Sequence, residues 1–159
     1  MNILTVNLVL STFVFWVAAR TYIVPNLAKW GAQAVLVPIL LLHSFRHLGL
    51  MFLAPGAVYE GIPPQFAYPA ALGDLLAAVL AMAALLTRSR ALIWIFNVEG
   101  TLDLAAAIVL ATVYSAPDFM GPAYWIPAFW VPALLVTHYL TFVILLKNQN
   151  EKSPAAAVG

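Results

Sequence analysis

Residues 34–53 read AVLVPILLLHSFRHLGLMFL. About 20 apolar residues span the hydrocarbon core of a bilayer as one helix, and this run has that length. Its middle nevertheless carries His43, Arg46 and His47. A charged side chain at bilayer depth costs about 2.5–3.5 kcal/mol even on the lenient insertion scale, so it turns to a protein interior and finds a partner there. The stretch thus predicts two things together: a membrane-spanning helix, and a polar site built by the helices around it.

The rest of the chain agrees with the first. Of 159 residues, 64% are hydrophobic and 8% charged, against about 25% charged in an average soluble domain. Four further apolar runs, residues 3–24, 67–86, 91–114 and 124–146, approach the spanning length. Helix breakers separate them: Pro25-Asn26, Pro55-Gly56 with Pro63-Pro64, Arg88-Ser89-Arg90, and Pro117-Asp118 with Gly121-Pro122. In lipid every backbone group must be satisfied within the segment, and the runs lack the alternation of a barrel. The fold class is therefore all-α, a polytopic integral membrane protein of five transmembrane helices. Residues 1–147 form its single domain, and 148–159 are expected to be a disordered cytoplasmic tail. The first run is preceded by no basic n-region and closed by no small-residue cleavage site, so it reads as a retained span.

Charge sets the orientation. Arg20, Lys29, Arg88, Arg90, Lys147 and Lys152 all fall on one side of a five-span chain, whereas Glu60 and Asp118 fall on the other. The positive-inside rule then places the N-terminus outside and the C-terminus in the cytoplasm, which in a bacterium means the inner membrane. Trp30 and Trp94 near one boundary, and Tyr124 and Trp125 near the other, suit interfacial anchoring. Gly73, Ala77 and Ala81 give the third span a small-residue face, and Gly100, Ala107 and Ala111 do the same for the fourth, predicting close contact between the two. Pro132 is expected to kink the fifth span. The Pro- and Gly-rich connection over residues 54–66 is placed to lid the outer side of the site. A net charge of +1 without a basic cluster argues against nucleic acid. With no cysteine, disulfides, thiolate metal sites and thiol catalysis are excluded. No P-loop, dinucleotide-binding glycine pattern or nucleophile elbow is present, nor an in-span lysine to carry retinal.

Seven ionisable groups remain inside the spans. At about 1.5 Å rise per residue, His43, Glu99 and His138 fall at about 12–13 Å from the cytoplasmic end, and Arg46, His47, Asp74 and Asp103 at about 18–19 Å. All seven thus occupy a slab near the midplane. His43 and His47 are four apart, as are Glu99 and Asp103, so each pair is expected on one helix face. Three acids against one guanidinium leave two negative charges, which a buried site must compensate with a divalent cation or two protons.

The leading expectation is a metal site: His43, His138, Glu99 and Asp103 as ligands to Zn, Fe or Mn, with His47, Asp74 and Arg46 as catalytic groups acting on a lipophilic small molecule or in redox chemistry. The same cluster also suits proton or ion translocation. Haem b between His43 and His138, or a quinone, is a third reading. An accessory subunit whose polar groups merely fix helix register, or contact a second copy or another membrane partner, is a fourth. Asn97, Thr101, Ser44 and Thr137 are expected to serve as helix-to-helix hydrogen bonds rather than ligands.

Overall fold

Proline and glycine divide the chain where the sequence suggests. The computed structural model describes residues 3–150, and its described residues form helices and turns with no strand. Five helices are long and apolar enough to cross a membrane: α1 (Ile3–Trp30), α2 (Ala32–Leu53), α3 (Pro64–Thr87), α4 (Arg90–Val113) and α5 (Gly121–Lys147). Helical geometry at the end of α5 continues to Asn150. Of the tail expected over 148–159, residues 151–159 lie outside the described residues.

Local departures from α geometry follow from residue type. In α1 the backbone widens to a π turn over Ala19–Ile23, closed by the Val24 N–H on the Ala19 carbonyl at 2.9 Å. Pro25 comes next and has no hydrogen to continue the ladder. The disruption expected at Pro132 in α5 takes the form of a second π turn, Ile126–Trp130, which begins beside Pro127 and ends two residues before Pro132. At the start of α4, Ser89 accepts a hydrogen bond from the Leu92 N–H, the usual service of an N-cap serine.

The departure with the largest consequence lies in α2. It is α-helical over Ala32–Ser44 and then runs as a 3-10 helix from Phe45 to Leu53. Nine residues is long for this tighter winding, whose runs seldom exceed about four. At about three residues per turn, one face repeats every third position, and the buried residues here are Arg46, Gly49 and Phe52. That face packs along α3, the most extensive helix-to-helix contact in the fold.

Helix α1 is peripheral. Between Ile3 and Ala18 only Leu4 is buried, and the helix packs mainly on α5. The other four enclose two apolar cores. One gathers Leu36, Leu40, Ala81, Ile93, Leu140 and Ile144 at the end that carries Arg20, Lys29, Arg88 and Arg90, called here the basic end. The other gathers Phe52, Phe66, Ala70, Met120, Ala123 and Ile126 at the end that carries Glu60 and Asp118, the acidic end. There the two connections are tied together, with Tyr59 N–H on the Phe119 carbonyl at 2.9 Å and Ala123 N–H on the Ala57 carbonyl at 2.8 Å. Between the two cores lies a polar layer.

Candidate functional site

Arg46 organises that layer. Its side chain is fully buried and reaches three other helices. Nε donates to Asp74 Oδ1 on α3 at 2.7 Å, and Nη2 donates to Asp103 Oδ2 on α4 at 2.5 Å. Nη1 donates to the Gly100 carbonyl at 3.3 Å and lies 3.3 Å from His138 Nε2 on α5. A guanidinium offers five N–H groups in a rigid fork, which is how one side chain binds two carboxylates and a carbonyl together. Lysine, a point charge with no fork, would not reproduce this.

Three glycines make the room. A Cβ on Gly49 would overlap the side chain of Asp74, and one on Gly73 would overlap the carboxylate of Asp103. A Cβ on Gly100 would come within 2.6 Å of Arg46 Nη1 and 2.7 Å of His138 Cε1. Gly49 and Gly73 therefore each face one carboxylate of the network, and Gly100 faces both Arg46 and His138. The close contact expected between α3 and α4 is present, and within it Gly73 and Gly100 also admit the polar side chains lodged between helices.

The histidines form the adjoining part of the layer. His138 Nδ1 lies 2.8 Å from Asn97 Oδ1, and Asn97 Nδ2 donates to the His138 backbone carbonyl at 3.3 Å. An amide oxygen only accepts, so His138 carries its proton on Nδ1 and presents the Nε2 lone pair to Arg46. The rings of His43 and His138 lie against each other at a tilt of 56°, with centroids 4.3 Å apart, and Phe96 closes the group at 4.9 Å from His43. His43 Nε2 contacts Thr137 Oγ1 at 2.9 Å, and that hydroxyl also reaches the Ala133 carbonyl at 2.9 Å. If the hydroxyl hydrogen goes to the carbonyl, His43 is the donor at Nε2 and its Nδ1 keeps a lone pair. Among the described residues, His43 Nδ1 and Glu99 Oε2 are buried and have no hydrogen-bond partner.

Arg46, Asp74, Asp103, His138 and His43 thus come together, and Glu99 stands half-buried one turn from Asp103 on α4. His47 does not join them. Its ring is exposed beside Phe45, with Nδ1 donating to the Ser44 carbonyl at 2.9 Å. An α-helix would bring residue 47 to within about 40° of residue 43, but the 3-10 winding brings Arg46 inward and turns His47 out. Nor do the four expected metal ligands converge: among the described residues no group of three or more His, Asp or Glu is arranged to hold an ion. His138 commits Nδ1 to Asn97, and Asp103 is engaged with Arg46.

Of the four polar residues expected to bond between helices, Asn97 and Thr137 do so. Ser44 and Thr101 bond back to their own helix, at Leu40 and Asn97 respectively, a common choice for hydroxyls four residues on.

Directly beyond the network, towards the acidic end, the helices and the connection after α4 border a partly open cavity of about 270 Å³. Its walls include Leu8 of α1, Phe66 and Ala70 of α3, and Leu104, Ala107 and Ala111 of α4. Asp74 lines it as well, so one carboxylate belongs both to the cavity and to the Arg46 network. The sequence signal for the cavity was the small-residue face of α4, read as a packing surface.

Fold and site together define an all-helical protein of five long apolar helices, four of which meet at one buried guanidinium with a hollow beside it. The chain belongs to the family described as a domain of unknown function, DUF8737, whose model matches residues 3–146. No curated protein and no solved structure matches it.

Proposed function

We propose that this is a multi-pass membrane protein, N-terminus outside and C-terminus cytoplasmic, that holds a lipophilic small molecule in the cavity beside the Arg46 network. The basic and acidic ends support the orientation through the positive-inside rule. Large apolar side chains on the outer surface, among them Leu10, Phe13, Leu72, Leu102 and Val109, support lipid as the solvent. The observation that carries the binding reading is Asp74, a polar group held by a buried Arg at the wall of an otherwise mainly apolar hollow. Ligand pockets have this build: apolar walls for affinity and a few fixed polar groups for orientation.

Because the chain has no cysteine, single cysteines report topology without background. Ser115→Cys should react with a membrane-impermeant maleimide in intact cells, and Ser89→Cys only after permeabilisation. The reverse pattern overturns the orientation. For the cavity, photolabelling with a diazirine-bearing octanol should mark the peptide around Leu104–Thr112 and lose that mark in Ala107→Trp. Labelling indifferent to the tryptophan overturns the binding reading.

A metal or proton role for the same layer is the second reading, favoured by His43 Nδ1 and Glu99 Oε2, two of the three buried side-chain polar atoms without a partner among the described residues. Either would accept a proton or a cation. Near one transition metal per chain by elemental analysis of the purified protein would move this reading to first place.

A further inference from the structure

We infer that the ligand of the cavity is a short-chain amphiphile with a protonated amine head, seated with its nitrogen at Asp74. The inference rests on the binding reading above and names its ligand class. It starts from sign. The two ionisable residues lining the cavity are Asp74 and Asp118, and none of its lining residues is Lys, Arg or His. Arg46 offers an incoming anion nothing, because its side chain is fully buried and already engaged with Asp74, Asp103, Gly100 and His138. A carboxylate or phosphate entering the cavity would meet the carboxylate of Asp74, and that contact is repulsive in a poorly solvated site.

Count adds to sign. One guanidinium faces two carboxylates, Asp74 and Asp103, within hydrogen-bond distance. With both ionised the group keeps a surplus negative charge, and Glu99 on the next turn of α4 adds to it when ionised. A buried surplus is costly unless a counter-charge reaches it. An ammonium group at Asp74 supplies that charge, and its N–H groups have a carboxylate to donate to.

Size limits the tail. At about 270 Å³ the cavity lies just below the roughly 300–1,000 Å³ typical of drug-sized ligands, so it suits a small molecule with a short apolar tail. Thr5, Thr112 and Ser115 add neutral hydroxyls to the lining without changing its sign.

The test is a head-group series on the full-length protein in nanodiscs of zwitterionic phosphocholine lipid. Octylamine, octanol and octanoate share one tail and are titrated by calorimetry against wild type and Ala107→Trp. Partition into lipid does not saturate and is unaffected by the tryptophan, so the saturable difference between the two proteins is cavity binding. The expected result is a preference for octylamine over both other heads of about tenfold or more, the scale of a charge-assisted hydrogen bond. Asp74→Asn should remove most of that preference. Should that variant fail to fold, Asp118→Asn, altered at an exposed residue, should reduce the preference by a smaller factor. Octanol or octanoate binding as tightly as octylamine, with Ala107→Trp abolishing it, overturns the amine class and leaves the cavity as a lipophile site. Saturable binding of none of the three, or binding that Ala107→Trp leaves unchanged, overturns the cavity reading itself.

Discussion

The basic and acidic ends of the bundle use similar residues to opposite effect. At the basic end, Ala81 and Ala84 of α3 meet Leu36, Leu40, Ile93 and Ile144, and the small residues are filled by the large ones opposite. At the acidic end, Ala70, Ala107 and Ala111 border a cavity instead. A small side chain brings helices together only where its neighbour sends a bulky one into the gap; otherwise it leaves space. What separates the two outcomes is the polar layer between them. Arg46 and its two carboxylates fix the spacing of α2, α3 and α4 at the middle of the bundle, and beyond that point the acidic end is left wider than its side chains fill.

The severest way to break this comparison is to remove the spacer. Arg46→Ala leaves Asp74 and Asp103 buried without their cation, and breaking a buried ion pair from one side costs about 3–5 kcal/mol. The unfolding free energy in mixed micelles should fall by that amount. Arg46→Lys should recover only part of it, because an ammonium does not present the fork that spans both carboxylates.

A second test contrasts the two ends directly. Ala81→Leu forces a larger side chain into the filled basic end, where overpacking costs about 1–3 kcal/mol. Ala111→Leu points into the cavity and should cost less than about 0.5 kcal/mol, the range of changes that disturb no packed feature. Equal losses for the two substitutions would mean that the ends are packed alike.

The glycines of the layer sharpen the comparison further. In an ordinary helix interior Gly→Ala is favourable by about 0.5–1 kcal/mol. Gly73→Ala should reverse that sign and cost at least about 1 kcal/mol, since its methyl would meet the Asp103 carboxylate. A neighbouring substitution, Leu72→Ala on the exposed face of α3, serves as the control for helix propensity.

Much of this was legible in the sequence. Run length and breakers mark out five helices because backbone hydrogen bonding and hydrophobicity are local properties. That Arg46, Asp74, Asp103, His43 and His138 share one slab of the bundle follows from rise per residue along the helices. What the sequence withheld was rotation. The angle at which a side chain leaves a helix depends on winding, and nothing in Phe45–Leu53 announces three residues per turn rather than 3.6. Hence His47 was expected beside His43 and faces outward. The cavity was hidden for a related reason: Ala107 and Ala111 look the same in sequence whether a neighbour fills the space beside them or not.

His47 gives the smallest expected effect and the most direct check on that rotation. Exposed at the surface of α2, with its single hydrogen bond to the Ser44 carbonyl three residues back, it touches no member of the polar layer. His47→Leu should change the unfolding free energy by no more than about 0.5 kcal/mol. His43→Leu, by contrast, gives up the bond to Thr137 and the ring contact with His138, and should cost about 0.5–1.5 kcal/mol, the net worth of one hydrogen bond, since Thr137 keeps its bond to the Ala133 carbonyl. Near-equal losses at the two positions would restore the α-helical register in which both histidines share a face. An unequal pair, with position 43 sensitive and position 47 indifferent, follows from the 3-10 winding that delivers Arg46 to its carboxylates.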